Sequence, residues 1–217
     1  MTIARLKLSR VVSALIFADL ALLAGWGLVN PIMSVFITEK IDGGSLTAVG
    51  IAVAIFWFTR ALLQVPIASY LDRTPGEQDE FHALLMGLMI AATAAFLMPL
   101  ATRVEHVYLI EFVHAVSFAF YIPAWSSIFS HHVDPEHTAL EWAIDRSVGG
   151  VATGTAGLLG GVVAGMYGFS AVFVAAGCLS LIATLGILFA PTFVLPRGLK
   201  KVRRPWETLI SGGLTKT

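Results

Sequence analysis

The run from Leu46 to Leu71 carries a single charge, Arg60, and no polar face. At about 1.5 Å of rise per residue, a helix of this length exceeds the roughly 30 Å of hydrocarbon in a bilayer. A buried helix of a soluble domain seldom stays apolar for so long. It reads as a membrane-spanning helix, so most of its surface faces lipid or protein. Arg60 lies deep in the run, where a charge costs several kcal/mol unless it faces protein or trapped water and finds a partner.

The rest of the chain follows the same rule. Of 217 residues, 57% are hydrophobic and 13% charged, which places the chain in the polytopic membrane class. The formal net charge is zero, so nothing in the overall balance points to nucleic acid. The one cysteine, Cys178, lies in an apolar run and excludes an internal disulfide.

Apolar runs and their breakers predict six helices, and hence an all-α membrane protein. Helix 1 runs from Val11 to about Ile37 behind Arg5, Lys7 and Arg10, too long for a cleaved leader. A turn over 38–45 leads to helix 2 at 46–71, with Gln64 and Pro66 as interruptions. Helix 3 runs from Phe81 or His82 to about Ala101; carrying no charge, it is expected to be the most lipid-facing element. Helix 4 spans about Val107 to Phe129 and ends at the loop His131 to His137, where Pro135 cannot continue it. Helix 5 runs from Thr138 to Met166, Tyr167-Gly168-Phe169 turns the chain, and helix 6 runs from Ser170 to about Val194. The domain layout is thus a basic N-terminus at 1–10, a six-helix domain at 11–194 and a basic tail at 195–217.

With both ends on one side, only Lys40 and Arg103 remain as Lys or Arg in the opposite loops. The positive-inside rule then predicts that both termini are cytoplasmic, in a plasma (inner) membrane.

Beyond helix 2, Asp72-Arg73-Thr74-Pro75-Gly76 resembles the loop between helices 2 and 3 of the major facilitator superfamily: Gly, three residues, Asp, then Arg or Lys, one residue, Gly, and basic residues. Asp72 and Arg73 match; Ala68 replaces the first Gly, Gly76 comes one place late, and Glu77, Gln78, Asp79 and Glu80 stand where basic residues belong. The resemblance makes Asp72, Arg73 and Gly76 candidates for a gating loop. Helix 5 adds a glycine series, with Gly150/Gly154, Gly157/Gly161 and Gly161/Gly165 each at Gly-x-x-x-Gly spacing. Together with Gly160, these let backbones approach closely in lipid. The segment Ala156-Gly157-Leu158-Leu159-Gly160-Gly161 is similar to the helix 5 signature of antiporters in that superfamily, without its Gly-Pro.

The resemblance implies one half of a facilitator, an inverted repeat of three helices plus three. Members usually have two such halves related by a twofold axis along the membrane normal, with the substrate between them. Dimerisation supplies the missing half, and a symmetric homodimer is the commonest closed assembly. The implied function is secondary transport of a small solute by alternating access, with the bilayer, the solute and a second copy as partners. The competing readings are a non-transporting membrane scaffold and a subunit of a heteromeric transporter.

Candidate chemistry rests on the intramembrane charges. Asp19 in helix 1 and Arg60 in helix 2 lie at depths differing by about one turn and are expected to pair, with Asp145 as the competing partner for Arg60. Glu111 and His114 lie one turn apart on helix 4, a pair suited to taking up and passing a proton. His131, His132, Asp134, Glu136 and His137 fit no zinc spacing and read as a solvated loop. The chain has no His-Glu-x-x-His, phosphate-binding loop or nucleophile elbow, so neither an enzyme nor a cofactor is expected.

Overall fold

A computed structural model describes residues 8–73 and 76–189. They form six helices, each long and apolar enough to cross a membrane: α1 (Arg10–Lys40), α2 (Leu46–Leu71), α3 (Gln78–Leu97), α4 (Val104–His132), α5 (Thr138–Tyr167) and α6 (Phe169–Leu188). The chain is a multi-pass all-α membrane protein. The end of helix 6 near Val194 and the basic tail lie outside the described residues.

Local chemistry sets the boundaries. Ser9 and Ser45 each cap a helix start, their hydroxyls accepting the N–H of Val12 and Ala48 at 3.1 Å. Between α5 and α6 a single residue breaks the helix: Gly168 at φ +83°, a conformation an L side chain rarely adopts. Asp42 exchanges two backbone hydrogen bonds with the α3–α4 turn, from its N–H to the Thr102 carbonyl (2.9 Å) and from the Val104 N–H to its own carbonyl (3.2 Å). The α1–α2 and α3–α4 turns are therefore tied together at the end of the bundle opposite the N-terminus of α1.

Helix α1 packs on α5 and α6, α3 on α4 and α6, and α2 on α4. Small residues bring the backbones together, as expected where dispersion drives association. A Cβ on Gly25 would meet the Ala176 backbone of α6, one on Gly27 the Thr153 backbone of α5, and one on Gly87 the Ser117 carbonyl of α4.

Helix α3 corrects one expectation. It lacks charge in its centre, yet it buries Leu84, Gly87, Leu88, Ala91, Ala92, Ala94 and Ala95 against its neighbours. Its small side chains suit a helix interface better than a lipid face. The exposed helices are α2, which buries only Ala48, Ala52 and Leu71, and α5, which buries Glu141, Asp145, Gly149, Ala156 and Gly160. Phe58, Leu62 and Val65 on α2 and Val151, Leu158 and Met166 on α5 are all exposed.

Candidate functional site

A cavity of about 360 Å³ lies between α1, α2 and α4, with Thr153 of α5 at its edge. It occupies the half of the bundle nearer the α1–α2 turn and reaches Arg60 at its deep end. Arg60, Glu111 and His114 all line it, together with Trp26, Asn30, Phe56, Trp57 and Phe118. On α2 the rim is open, since Val53 and Trp57 line the cavity and are both more than half exposed.

Three of the five intramembrane charges singled out in the sequence thus meet in one space. His114 Nδ1 lies 3.3 Å from Glu111 Oε2, one turn away on α4, and both residues are buried. The His114 ring stacks on Trp26 at 3.4 Å between centroids and 10° between planes, while Phe56 and Phe118 approach it at 4.6 and 5.2 Å. His114 Nε2 and Trp26 Nε1 are buried in this wall with no hydrogen-bond partner.

Arg60 does not pair with Asp19 or Asp145. Its Nε donates to Gln64 Oε1 at 3.1 Å, and its guanidinium sits 5.0 Å from the Trp57 ring centroid. Both partners are on α2 itself, Gln64 one turn along, where (i, i+4) side chains meet. Among the described residues no carboxylate lies within ion-pair distance of it.

Asp19 and Asp145 belong to a second polar cluster, nearer the chain's N-terminal end of the bundle. Asp19 Oδ1 accepts from the Tyr121 hydroxyl of α4 at 2.9 Å. Asp145 is paired with Arg146 at 3.6 Å, and Asp19 feels the charges of both. Arg146 lies 5.6 Å from the ring centroids of Trp125 and of Trp142. Trp125 donates to the Leu15 carbonyl at 3.2 Å and stacks on Phe129. This cluster ties α1, α4 and α5 together. The reason Asp19 prefers Tyr121 is register: both sit on the α1–α4 contact, whereas Arg60 is held on α2 by Gln64.

Asp72 and Arg73 are exposed at the C-terminal end of α2, the Asp72 N–H completing the last turn through the Ala68 carbonyl at 3.0 Å. Gly76 has φ +113°, which explains a glycine at that place. Thr74 and Pro75 lie outside the described residues.

The histidine segment is not wholly a solvated loop. His131 and His132 form the last turn of α4 and approach the Glu77 carboxylate at 3.4 and 3.5 Å. Burial pushes the Glu77 carboxyl up, against the pull of His132 and His131. Asp134 and His137 pair at 3.0 Å in the exposed loop, where the hydrogen bond lowers the Asp134 pKa and raises that of His137.

The helix 5 glycines divide. Gly160 abuts the backbone of Leu28 so closely that a Cβ would collide with its carbonyl, and Gly157 lies near the Gly27 carbonyl. Gly150, Gly154 and Gly161 face open space within this chain. A larger groove of about 630 Å³ between α1, α5 and α6 is lined by Leu20, Leu28, Val151, Leu159 and similar residues and holds no charge.

Residues given no site role in the sequence reading complete both clusters. Tyr121 stands 102 positions from the Asp19 it serves, so no local spacing could reveal it. Gln64 was visible at one turn from Arg60, as a polar residue in an apolar run.

The sequence matches the family described as Major Facilitator Superfamily over residues 15–215. No curated protein matches it. Among solved structures, an in meso crystal structure of the POT family transporter PepTSo is similar at TM-score 0.65 and 17% identity, over 98% of this chain and 44% of that one. At that identity the likeness is one of fold, and the chain spans less than half the length of that transporter.

Proposed function

Since the chain belongs to the Major Facilitator Superfamily, we propose that it is one six-helix half of a secondary transporter, moving a small solute by alternating access and completed by a second copy of itself. The observation that carries this reading is the position of the cavity. It holds Arg60, Glu111 and His114, and its rim lies along α2, one of the two helices this chain leaves uncovered. A polar cavity open to lipid on one side would leave its charges unsolvated. A second half facing it closes the wall and gives the solute a site between halves.

In this reading Arg60, Glu111 and His114 contact the solute, with the Glu111–His114 pair carrying a coupled proton. Asp19, Asp145 and their partners hold α1, α4 and α5 together at the other end, and must part when the solute leaves on that side. Asp72, Arg73 and Gly76 form the turn that moves with α2. Gly150, Gly154 and Gly161, open within one chain, receive α2 of the second copy. Both termini face the cytoplasm across the plasma membrane.

The test is flux in proteoliposomes combined with assembly mass in nanodiscs. A mass of two chains, with solute flux lost in Arg60→Gln, is the expected result. A monomer that transports contradicts the dimer. A dimer inert toward every solute that thermally stabilises it contradicts transport and favours a scaffold.

A further inference from the structure

We propose that the solute is a small organic monoanion, a carboxylate on a flat, apolar body. The inference deepens the transporter reading and rests on it for the word solute, though not for the site.

Among the described residues, the cavity's one charge without an opposite partner is a donor group, the Arg60 guanidinium. A guanidinium has five N–H groups in a fixed fork and no acceptor, matched to a carboxylate. Arg60 uses Nε on the neutral Gln64 and has no acid within reach among the described residues. Trp26 Nε1 is a donor only, buried and without partner. The cavity's one acid, Glu111, is already engaged by His114 Nδ1. His114 Nε2 is also buried and unpartnered; with Nδ1 donating to Glu111, a neutral ring leaves it an acceptor, so the donors that an anion would meet are Arg60 and Trp26. Buried polar atoms without hydrogen-bond partners also occur at Glu77, Glu80 and Asp145, so the two here count only because Trp26 and His114 line the cavity. A cationic solute would have to displace His114 from Glu111 and sit beside Arg60. An anion meets the uncompensated charge directly.

The remainder of the wall describes the rest of the molecule. Trp26, Phe56, Trp57 and Phe118 present rings, and Val29, Met33, Val49 and Ala52 present aliphatic groups. A volume of 360 Å³ holds about a dozen waters at roughly 30 Å³ each, so a body of that order of heavy atoms fits. Ring faces favour a planar, unsaturated body in offset or edge contact.

The experiment uses the full chain in nanodiscs with three probes of one shape: benzoate, neutral benzamide and cationic benzylamine. Binding is read by thermal shift and tryptophan fluorescence, and flux of each labelled probe is measured in proteoliposomes. Benzoate should bind at least tenfold more tightly than either isostere. Arg60→Gln should lose that preference, Arg60→Lys should retain part of it, and Trp26→Phe should weaken benzoate several-fold. Equal or tighter binding of benzamide or benzylamine, no benzoate binding, or benzoate binding unchanged in Arg60→Gln overturns the proposal. Two outcomes separate it from the transporter reading. Arg60-dependent benzoate binding without flux of any solute supports the anion site and sinks transport. Flux of the cation or neutral probe that ignores Arg60 sinks the anion site and leaves transport standing.

Discussion

The two polar clusters inside this bundle contain similar residue types and differ in what surrounds them. Around Arg60, Glu111 and His114 there is empty space and an open rim. Asp19, Tyr121 and Asp145 are buried in a packed contact, with Arg146 at its exposed edge and Trp125 bonded to the α1 backbone. Intramembrane charge alone therefore does not mark a binding site. Charge beside a void leaves room for a solute, and charge inside a packed contact leaves none.

The sharpest way to break this contrast is to remove one group from each side. Arg60→Gln should reduce solute flux by about 100-fold or more while shifting Tm only slightly, because its partners are on its own helix. Tyr121→Phe should do the reverse. It leaves Asp19 without its donor and should cost about 1–3 kcal/mol of stability, with binding in the cavity retained. Equal effects of the two changes on stability and binding would erase the distinction.

A comparable contrast runs along α5. Gly160→Ala puts a Cβ into the Leu28 carbonyl and should destabilise the single chain by about 1–3 kcal/mol, read as a lower Tm. Gly161→Leu has open space within the chain and should leave that Tm unchanged while weakening association between copies, read as loss of the two-chain mass. If Gly161→Leu lowers Tm as much as Gly160→Ala, the open glycine face is not a partner surface.

The smallest effect concerns Glu77, which belongs to neither cluster. Its carboxyl is pushed up by burial, so the folded chain binds its proton more tightly than the unfolded chain does. Its favourable contribution is present below the ordinary glutamate pKa and lost as pH rises through the raised value. Glu77→Gln should match the parent near pH 4 and melt about 1–2 °C higher near pH 8. A lower Tm at pH 8 would mean that the His131 and His132 contacts outweigh burial.

The sequence made the spans easy to read, because lipid demands long apolar runs and glycine or proline breaks them. The bounds of α2 came out as expected, and α1 and α4 extend by a turn or less. What it concealed was which helix faces which. The absence of charge from the middle of α3 suggested a lipid face, but Gly87, Ala91 and Ala95 are small enough to be interface residues, and hydrophobicity does not separate lipid from protein neighbours. The same limit applies to the site. Arg60, Glu111 and His114 were visible as costly charges, and the Glu111–His114 contact followed from helical spacing. The pairing of Arg60 was not visible, since depth along a helix places two charges at one level without saying which way each helix is turned.

The central claim is that this half is completed by a second copy through α2 and α5. Asp72 at the end of α2 and Thr138 at the start of α5 are both exposed at the same side of the bundle. The most direct test therefore mixes a chain carrying Asp72→Cys with one carrying Thr138→Cys, each also Cys178→Ser, in native-like membranes. Disulfide-linked species of two chains, formed only in the mixture and enriched by benzoate if it binds between halves, are the predicted result. Their absence, with the same two sites in one chain linking only within it, would contradict the account.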